Sequence, residues 1–361
     1  MKVKLTEICT PKQWKTIPTN ELLDEGYPVY GANGIIGYYN EYNHENSVVT
    51  ITCRGATCGT INITEPKSYI TGNAMCLDNL RSGILLEYLY YCLLHYDFRN
   101  VISGSAQPQI TRQGLEKVEI EIYSIEEQKK RITTLNKINV VIAARQQQLQ
   151  KLDDLVKARF VELFGDMILN PNSWEKVDLG KVCDVRDGTH DSPKYFAEGI
   201  PLVTSRNLSS GRIDFTDCNL ICEADYNKIN ERSKVDLGDI LMPMIGTVGN
   251  PIIVDIDAEF AIKNVALIKF SENSKVVNVF VKALLESDYF DRAVLDKVRG
   301  GTQKFISLGD IRRLKVCLPP LEVQKQFAAF VTQADKSKAT VQKALDETQL
   351  LFDSLMQQYL A

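Results

Sequence analysis

Gly104-Ser105-Ala106-Gln107, Ile110-Thr111 and Ile125-Glu126-Glu127-Gln128-Lys129 open a stretch that runs on to Phe164 with neither Gly nor Pro after Ser124. The same track returns near the C-terminus as Gly300, Gln303, Ile306-Ser307, Leu321-Glu322-Val323-Gln324-Lys325 and Leu360, displaced throughout by 196 residues without a gap. Each copy begins with a short alternating run, Val118, Ile120 and Ile122 in one and Leu314, Val316 and Leu318 in the other, which is the pattern of a half-buried strand. A long helix follows. In the first copy Leu135, Ile142, Leu149, Val156 and Leu163 recur at every seventh residue, with Ile138 and Leu152 three residues after two of them, so the stripe has coiled-coil periodicity. In the second the stripe is Val331, Leu345, Phe352 and Tyr359, flanked by Ala334, Val341 and Leu355 and interrupted by Lys338. Helices of about 40 residues span about 60 Å, and so narrow a stripe needs a partner helix. The repeat predicts that the two pair antiparallel; the competing reading packs each on its own domain.

Working outward, the 361 residues suit two or three domains, and 44% hydrophobic residues are ample for their cores. Gly26-Tyr27-Pro28-Val29-Tyr30 can be laid on Gly199-Ile200-Pro201-Leu202-Val203 at an offset of 173, and Val48 to Asn73 on Asp239 to Asn264 at 191. The growing offset predicts that the second domain carries extra loop residues on a shared scaffold. Both domains read as mixed. Short β-runs at Ser47 to Cys53, Cys58 to Ile63, Ile240 to Ile245 and Pro251 to Ile256 accompany helical spacing at Leu86 to Phe98 and Val276 to Leu295. The expected fold is α+β: two mixed α/β domains joined by two long helices in an antiparallel coiled coil, with an internal pseudo-two-fold repeat. The expected boundaries are 1–108, 109–165 (strand and first long helix), 166–304 and 305–361 (strand and second long helix).

There is no run of 18 apolar residues, and Met1-Lys2-Val3-Lys4-Leu5-Thr6-Glu7 lacks the apolar segment of a signal peptide, so the expectation is a soluble cytoplasmic chain with no membrane partner. Nine scattered cysteines fit reduced thiols better than a disulfide framework.

Several motifs, taken in order, resemble the specificity subunit of type I restriction-modification systems over essentially the whole chain. They are Pro28-Val29-Tyr30-Gly31-Ala32-Asn33-Gly34-Ile35-Ile36-Gly37, Gly104-Ser105-Ala106-Gln107-Pro108-Gln109-Ile110, Phe164-Gly165-Asp166 with Asn170-Pro171 and Trp174, Asp187-Gly188-Thr189-His190-Asp191-Ser192-Pro193, and Gly238-Asp239-Ile240-Leu241. The resemblance implies two target-recognition domains, each reading half of a split site in double-stranded DNA. It implies that the long helices act as spacer and docking surface for two methyltransferase subunits, with motor-nuclease subunits joining the complex. Charge runs the other way. The net charge is −4, residues 1–103 hold 8 Lys and Arg against 10 Asp and Glu, and residues 172–302 hold 16 against 21. The basic footprint of phosphate binding is missing, which leads to the expectation that the chain alone binds DNA weakly and that partner subunits supply phosphate contacts.

No catalytic pattern is evident. A Walker-type glycine loop is absent, as is the Asp/Asn-Pro-Pro-aromatic signature of adenine methyltransferases, for which the nearest string is Asn170-Pro171-Asn172. No carboxylate cluster with a Lys suggests a nuclease, and no cofactor is expected. Cys53 with Cys58 and Cys218 with Cys222 invite a zinc reading, but only His44, His95 and His190 could complete either set, and buried thiols are the simpler reading.

Bidentate base readers must approach a groove on thin backbone, so Arg, Lys, Asn, Gln, Ser, Thr or His on glycine-flanked loops are the candidates. These are Asn33, Arg54 and Gln107 in the first domain, and Thr189, His190, Lys194, Arg206, Asn207, Thr247, Gln303 and Lys304 in the second. Each has a rival reading as a turn residue bonding its own backbone. Arg54 leads because an Arg in a Cys-Arg-Gly turn has no capping role, and Arg206-Asn207 follows. Tyr38, Tyr39 and Tyr42 read as packing residues rather than base-stacking platforms. For partner docking the candidates are Gln128, Lys129 and Arg131 at one helix start and Gln324 and Lys325 at the other, with solvated charged faces as the rival reading. The alternative to a non-catalytic specificity subunit is a coiled-coil protein-interaction scaffold without DNA specificity; an enzyme ranks third.

Overall fold

The computed structural model describes residues 1–32, 34–104, 107–245, 249–293 and 305–360. These form two compact units, residues 1–147 with 342–361 and residues 148–341, so that each long helix contributes to both.

In the first unit Thr10–Gln13, Ala74–Asp78, Val49–Thr52 and Ile61–Ile63 lie side by side in that order as an antiparallel sheet. A second sheet orders Gly34–Tyr39, Tyr27–Gly31 and Tyr69–Ile70, the last two parallel. The second unit has the same plan. Asp184–Asp187, Val265–Lys269, Ile240–Pro243 and Ile252–Ile253 form the antiparallel sheet, and Asn219–Ile221, Ile200–Val203 and Ala261–Ile262 form the other, again ending in a parallel pair. In the central pair register follows the 191-residue offset, while the edge strands Ile252–Ile253 and Ala261–Ile262 are each shifted by one residue from their counterparts. Thr50 pairs with Cys76, and Leu241, 191 residues on from Thr50, pairs with Leu267, 191 on from Cys76. The strand preceding each long helix, Glu119–Glu121 or Lys315–Cys317, pairs antiparallel with the first strand of its own unit, Lys2–Lys4 or Lys176–Asp178.

The offset grows from 173 to 191 at two connections. Two residues separate Gly31 from Gly34 in the first hairpin, whereas its counterpart spans Val203 to Asn219 and holds the turn Ser205–Leu208. The next connection, Tyr39 to Val49, corresponds to Ile221 to Ile240, which contains the additional helix Glu223–Ser233.

The central strands are buried on both faces, which explains why they read as continuous apolar runs rather than as alternations. Val49, Ile51, Met75 and Leu77 pack on Tyr88, Leu89 and Leu93 of the helix Leu86–His95. Ile240, Met242, Ala266 and Ile268 pack on Phe280, Val281 and Leu284 of Asn278–Leu285, while Leu241, Ile252 and Leu267 supply a second cluster with Val203 and Phe260. Among the described residues the helical spacing that begins at Val276 forms two helices, Asn278–Leu285 and Asp288–Ala293. Ser287 sits at the break, its Oγ donating to the Leu284 carbonyl at 2.6 Å, the kind of local hydrogen bond that competes with helix continuation.

The long helices are Ile125–Phe164 and Leu321–Leu360. In the first unit the Arg131 guanidinium donates to the Tyr359 carbonyl and Arg145 donates to that of Ala344. In the second, Asp153 meets Lys338 Nζ at 2.6 Å, and Phe160 lies edge-on to Phe327 with centroids 5.5 Å apart. Within each unit the partner's number falls as the first helix advances, so the segments run antiparallel. Lys338 interrupts the apolar stripe because its half-buried ammonium is held by Asp153 on the facing helix and by Asp335. Gly165 ends the first helix at φ +68°, where a Cβ would stand 2.7 Å from Pro171 Cγ, so both handedness and space call for glycine.

Candidate nucleic-acid interface

At the outer end of each central strand the chain pairs with the segment leading into the long helix. In the first unit Ile110 N–H donates to the Cys53 carbonyl at 3.0 Å, and Arg54 forms an antiparallel bridge with Gln109. In the second Ile306 N–H donates to the Met244 carbonyl at 3.0 Å, and Ile245 bridges Phe305. Successive residues of an extended chain face opposite sides. Cys53, Ile110, Met244 and Ile306 are buried, and the bridged residues beside them face outward. Arg54 and Gln109 are exposed, and Arg54 forms no ion pair among the described residues. The turn after Arg54 is made by Gly55 at φ +87°, a conformation that keeps a side chain off the backbone at this point.

Other candidates divide by what their side chains already hold. Gln107 and Lys194 are exposed, the Lys194 ammonium 5.5 Å from the Phe196 ring centroid. Arg206 is exposed and pairs with Asp217 at 2.8 Å, a solvated bridge that a stronger ligand can displace. Asn207 does not fit base reading. It is buried, its Oδ1 accepts from the N–H and hydroxyl of Thr204, and its Nδ2 donates to the Asp214 carbonyl, so it closes the long hairpin loop instead. Both ring nitrogens of His190 are engaged as well, Nδ1 with Asn264 Oδ1 and Nε2 with Asp187 Oδ2, each at 2.8 Å. Thr189 Oγ1 accepts from Asp191 N–H while its backbone bridges Lys263. Thr189 and His190 thus make turn hydrogen bonds, with the His190 ring left exposed. Asn33, Thr247, Gln303 and Lys304 lie outside the described residues.

The docking candidates separate in the same way. Gln128 and Gln324 are fully buried, which corrects their reading as partner contacts. Gln128 Oε1 accepts from Leu85 N–H at 2.9 Å, and its Nε2 donates to the carbonyls of Gly83 and Tyr123. Gln324 Oε1 accepts from Val277 N–H at 2.9 Å, and its Nε2 donates to Lys275 and Pro319. Each amide thus clamps the start of a domain helix and the turn before a long helix. Arg131 is also committed, bonded to Glu127 and the Tyr359 carbonyl and stacked 3.5 Å above Tyr123. Lys129 and Lys325 remain exposed, Lys325 paired with Glu322 at 3.0 Å. Val140, Val141, Leu350 and Leu351, which sequence reasoning did not single out, are apolar residues exposed on the long helices.

Among the described residues neither cysteine pair is joined by a third His, Cys, Asp or Glu within ligand distance. Burial pushes the Cys53 thiol up, and Gln13 Nε2 donates to its sulfur at 3.0 Å. Cys218 is likewise raised by burial. All nine cysteines are free. His44, Cys76 and Asp78 come within ligand distance of one another. There the imidazole bonds Asp78 at 2.9 Å and Asn43 at 2.6 Å, and Trp14 Nε1 donates to Asp78 at 3.1 Å, a closed hydrogen-bond network with no free donor lone pair on the ring. Among the described residues no helix is long and apolar enough to cross a membrane.

Known proteins agree with this architecture. The MjaVIII type I restriction enzyme specificity subunit of Methanocaldococcus jannaschii is 26% identical over 285 residues, which is 71% of this chain and 67% of that one. A putative type I restriction enzyme specificity subunit of Haemophilus influenzae, S.HindORF215P, is 21% identical across 92% of this chain and 86% of its own. The crystal structure of a type I restriction-modification S subunit from M. genitalium superposes with a TM-score of 0.61 at 17% identity, covering 100% of this chain and 96% of that one, which establishes the shared fold. The family model of the type I restriction modification DNA specificity domain matches residues 1–154 and again 171–348, one match for each copy of the repeated sheet plan, and the chain belongs to that family.

Proposed function

We propose that the chain is the non-catalytic specificity subunit of a type I restriction-modification complex, in which each recognition domain reads one half of a bipartite DNA site. The observation that carries this reading is the pairing of one scaffold with two different surfaces. The sheets repeat in strand order and register, while the outward positions at the strand ends carry Arg54 and Gln109 in one unit and Ile245 and Phe305 in the other. A scaffold duplicated for packing alone gives no reason for its exposed positions to diverge in chemistry. The long helices act as spacer between half-sites and dock two methyltransferase subunits, with Lys129 and Lys325 and the exposed apolar residues of the helices as the contact surface; motor-nuclease subunits join through that assembly.

Arg54 is the leading base reader of the first domain, with Gln107 beside it; Lys194 and Arg206 are those of the second. A neutral-to-acidic chain contributes few phosphate contacts, so tight binding requires the methyltransferase subunits. Electrophoretic shift of the chain with and without those subunits tests this. The expected result is weak binding alone and sequence-dependent binding in the complex. Binding in the complex that ignores sequence refutes the reading and favours a coiled-coil scaffold.

A further inference from the structure

The bridge that places Arg54 beside Gln109 recurs in the second unit with its chemistry reversed. Residue 54 and residue 245 are related by the 191-residue offset of the central strands, and residues 109 and 305 by the 196-residue offset of the helix starts. The inner hydrogen bond, Ile110 to Cys53 or Ile306 to Met244, is 3.0 Å in both. Ile245 and Phe305 therefore occupy the place of Arg54 and Gln109. Residues directly opposite in an antiparallel bridge have Cβ atoms about 4.5–5.5 Å apart on one face, so each pair presents a single joint surface. Ile245 is 37% exposed and Phe305 51% exposed, although the next pair inward from the bridge, Met244 and Ile306, is buried at 4% and 0%. Apolar side chains that could have followed their neighbours inward are instead held outward by strand alternation.

We infer that Ile245 and Phe305 form an apolar base-reading site in the second domain, one that contacts the 5-methyl group of a thymine in the major groove; this rests on the proposed DNA-specificity function. Arg54 and Gln109 supply the donors and acceptor that match the edge of a purine, guanine for Arg and adenine for Gln. Ile245 and Phe305 supply neither donor nor acceptor. The feature of a base edge that rewards an apolar surface in the major groove is the thymine methyl. Covering the exposed face of Phe305 also removes apolar area from water on binding. The two domains would then read their half-sites by different means at one structural position, a hydrogen-bonding pair in the first and an apolar pair in the second.

The test uses the chain assembled with its methyltransferase subunits and DNA carrying its target motif, with each thymine replaced in turn by deoxyuridine, which removes the methyl alone. One thymine, in one half-site only, should weaken binding about fourfold on replacement, the worth of one buried methyl-sized group. The Ile245→Ala,Phe305→Ala chain should bind thymine and deoxyuridine DNA equally at that position and retain its preference in the other half-site. If that chain melts early, Phe305→Ser alone keeps Ile245 and should lose most of the deoxyuridine effect. Absence of any methyl-sensitive thymine, or sensitivity that survives these substitutions, overturns the inference. A wild-type complex that shows no sequence preference at all instead refutes the proposed function on which it rests.

Discussion

Gln128→Ala should destabilise the first unit without any partner present, and Gln324→Ala should do the same to the second. Each substitution removes three hydrogen bonds from a fully buried amide and leaves one backbone N–H and two backbone carbonyls without their partner. A buried polar group left unpaired costs about 1–3 kcal/mol, and because most of the backbone partners are only partly buried the expected total is about 3 kcal/mol. Gln128→Glu should be nearly as damaging, since a carboxylate can still accept from Leu85 but cannot donate to Gly83 and Tyr123. The two tryptophans allow the units to be followed separately, Trp14 in the first and Trp174 in the second. In urea titrations of single-tryptophan chains, Gln128→Ala should move mainly the Trp14 transition and Gln324→Ala mainly the Trp174 transition. Unchanged midpoints together with lost methyltransferase binding would refute the clamp and restore both residues as docking contacts.

Arg54→Ala in the assembled complex should relax one base position in one half-site and leave the other half-site untouched, at about 1–3 kcal/mol for a bidentate contact; equal loss in both halves would implicate folding or phosphate binding. Inserting four residues after Gln148 and after Ala344 adds about 6 Å and about 40° to each long helix, which a coiled coil absorbs by local unwinding. The methylated motif should then keep both half-sites and gain one or two unspecified base pairs at about 3.4 Å each, and an unchanged gap with activity intact would show that the helices are not the ruler. Burial pushes the thiols of Cys9, Cys92 and Cys183 up to about 12, so alkylation of the native chain at pH 8 should spare all three. Mass spectrometry showing rapid modification of any of them would contradict the packing described. Lys129→Glu with Lys325→Glu should weaken co-purification with methyltransferase subunits while leaving the melting temperature within about 2 °C, since both ammonium groups are exposed; undiminished co-purification would remove these residues from the docking surface.

The repeat was legible because register obeys it. A one-residue slip would turn a buried strand face to solvent, so the central strands keep one offset while the connections absorb the insertions. The long helices were legible from periodicity, and even Lys338 conforms once Asp153 is seen across the seam. Function was harder to assign to single residues. Asn207 and His190 have the chemistry of base readers, but Asn and His also close turns, and only the positions of Thr204, Asp214, Asp187 and Asn264 decide between the two uses. Gln128 and Gln324 misled for a related reason. A glutamine in a charged helix start reads as surface, yet two of the three backbone groups that draw each one inward lie 43–49 residues earlier, at the start of a domain helix. The 191-residue offset places Ile245 opposite Arg54 in the sequence itself, whereas Gln109 and Phe305 emerge only from the bridges that pair them with those two residues.

The central claim, that two domains on one duplicated scaffold read two half-sites, is tested most directly by sequencing the methylome of a host that expresses this chain with its methyltransferase subunits. The expected result is a single bipartite motif, two short specified segments separated by a fixed unspecified gap and modified in both. A continuous motif, or methylation no different from that of the host without this chain, would contradict it.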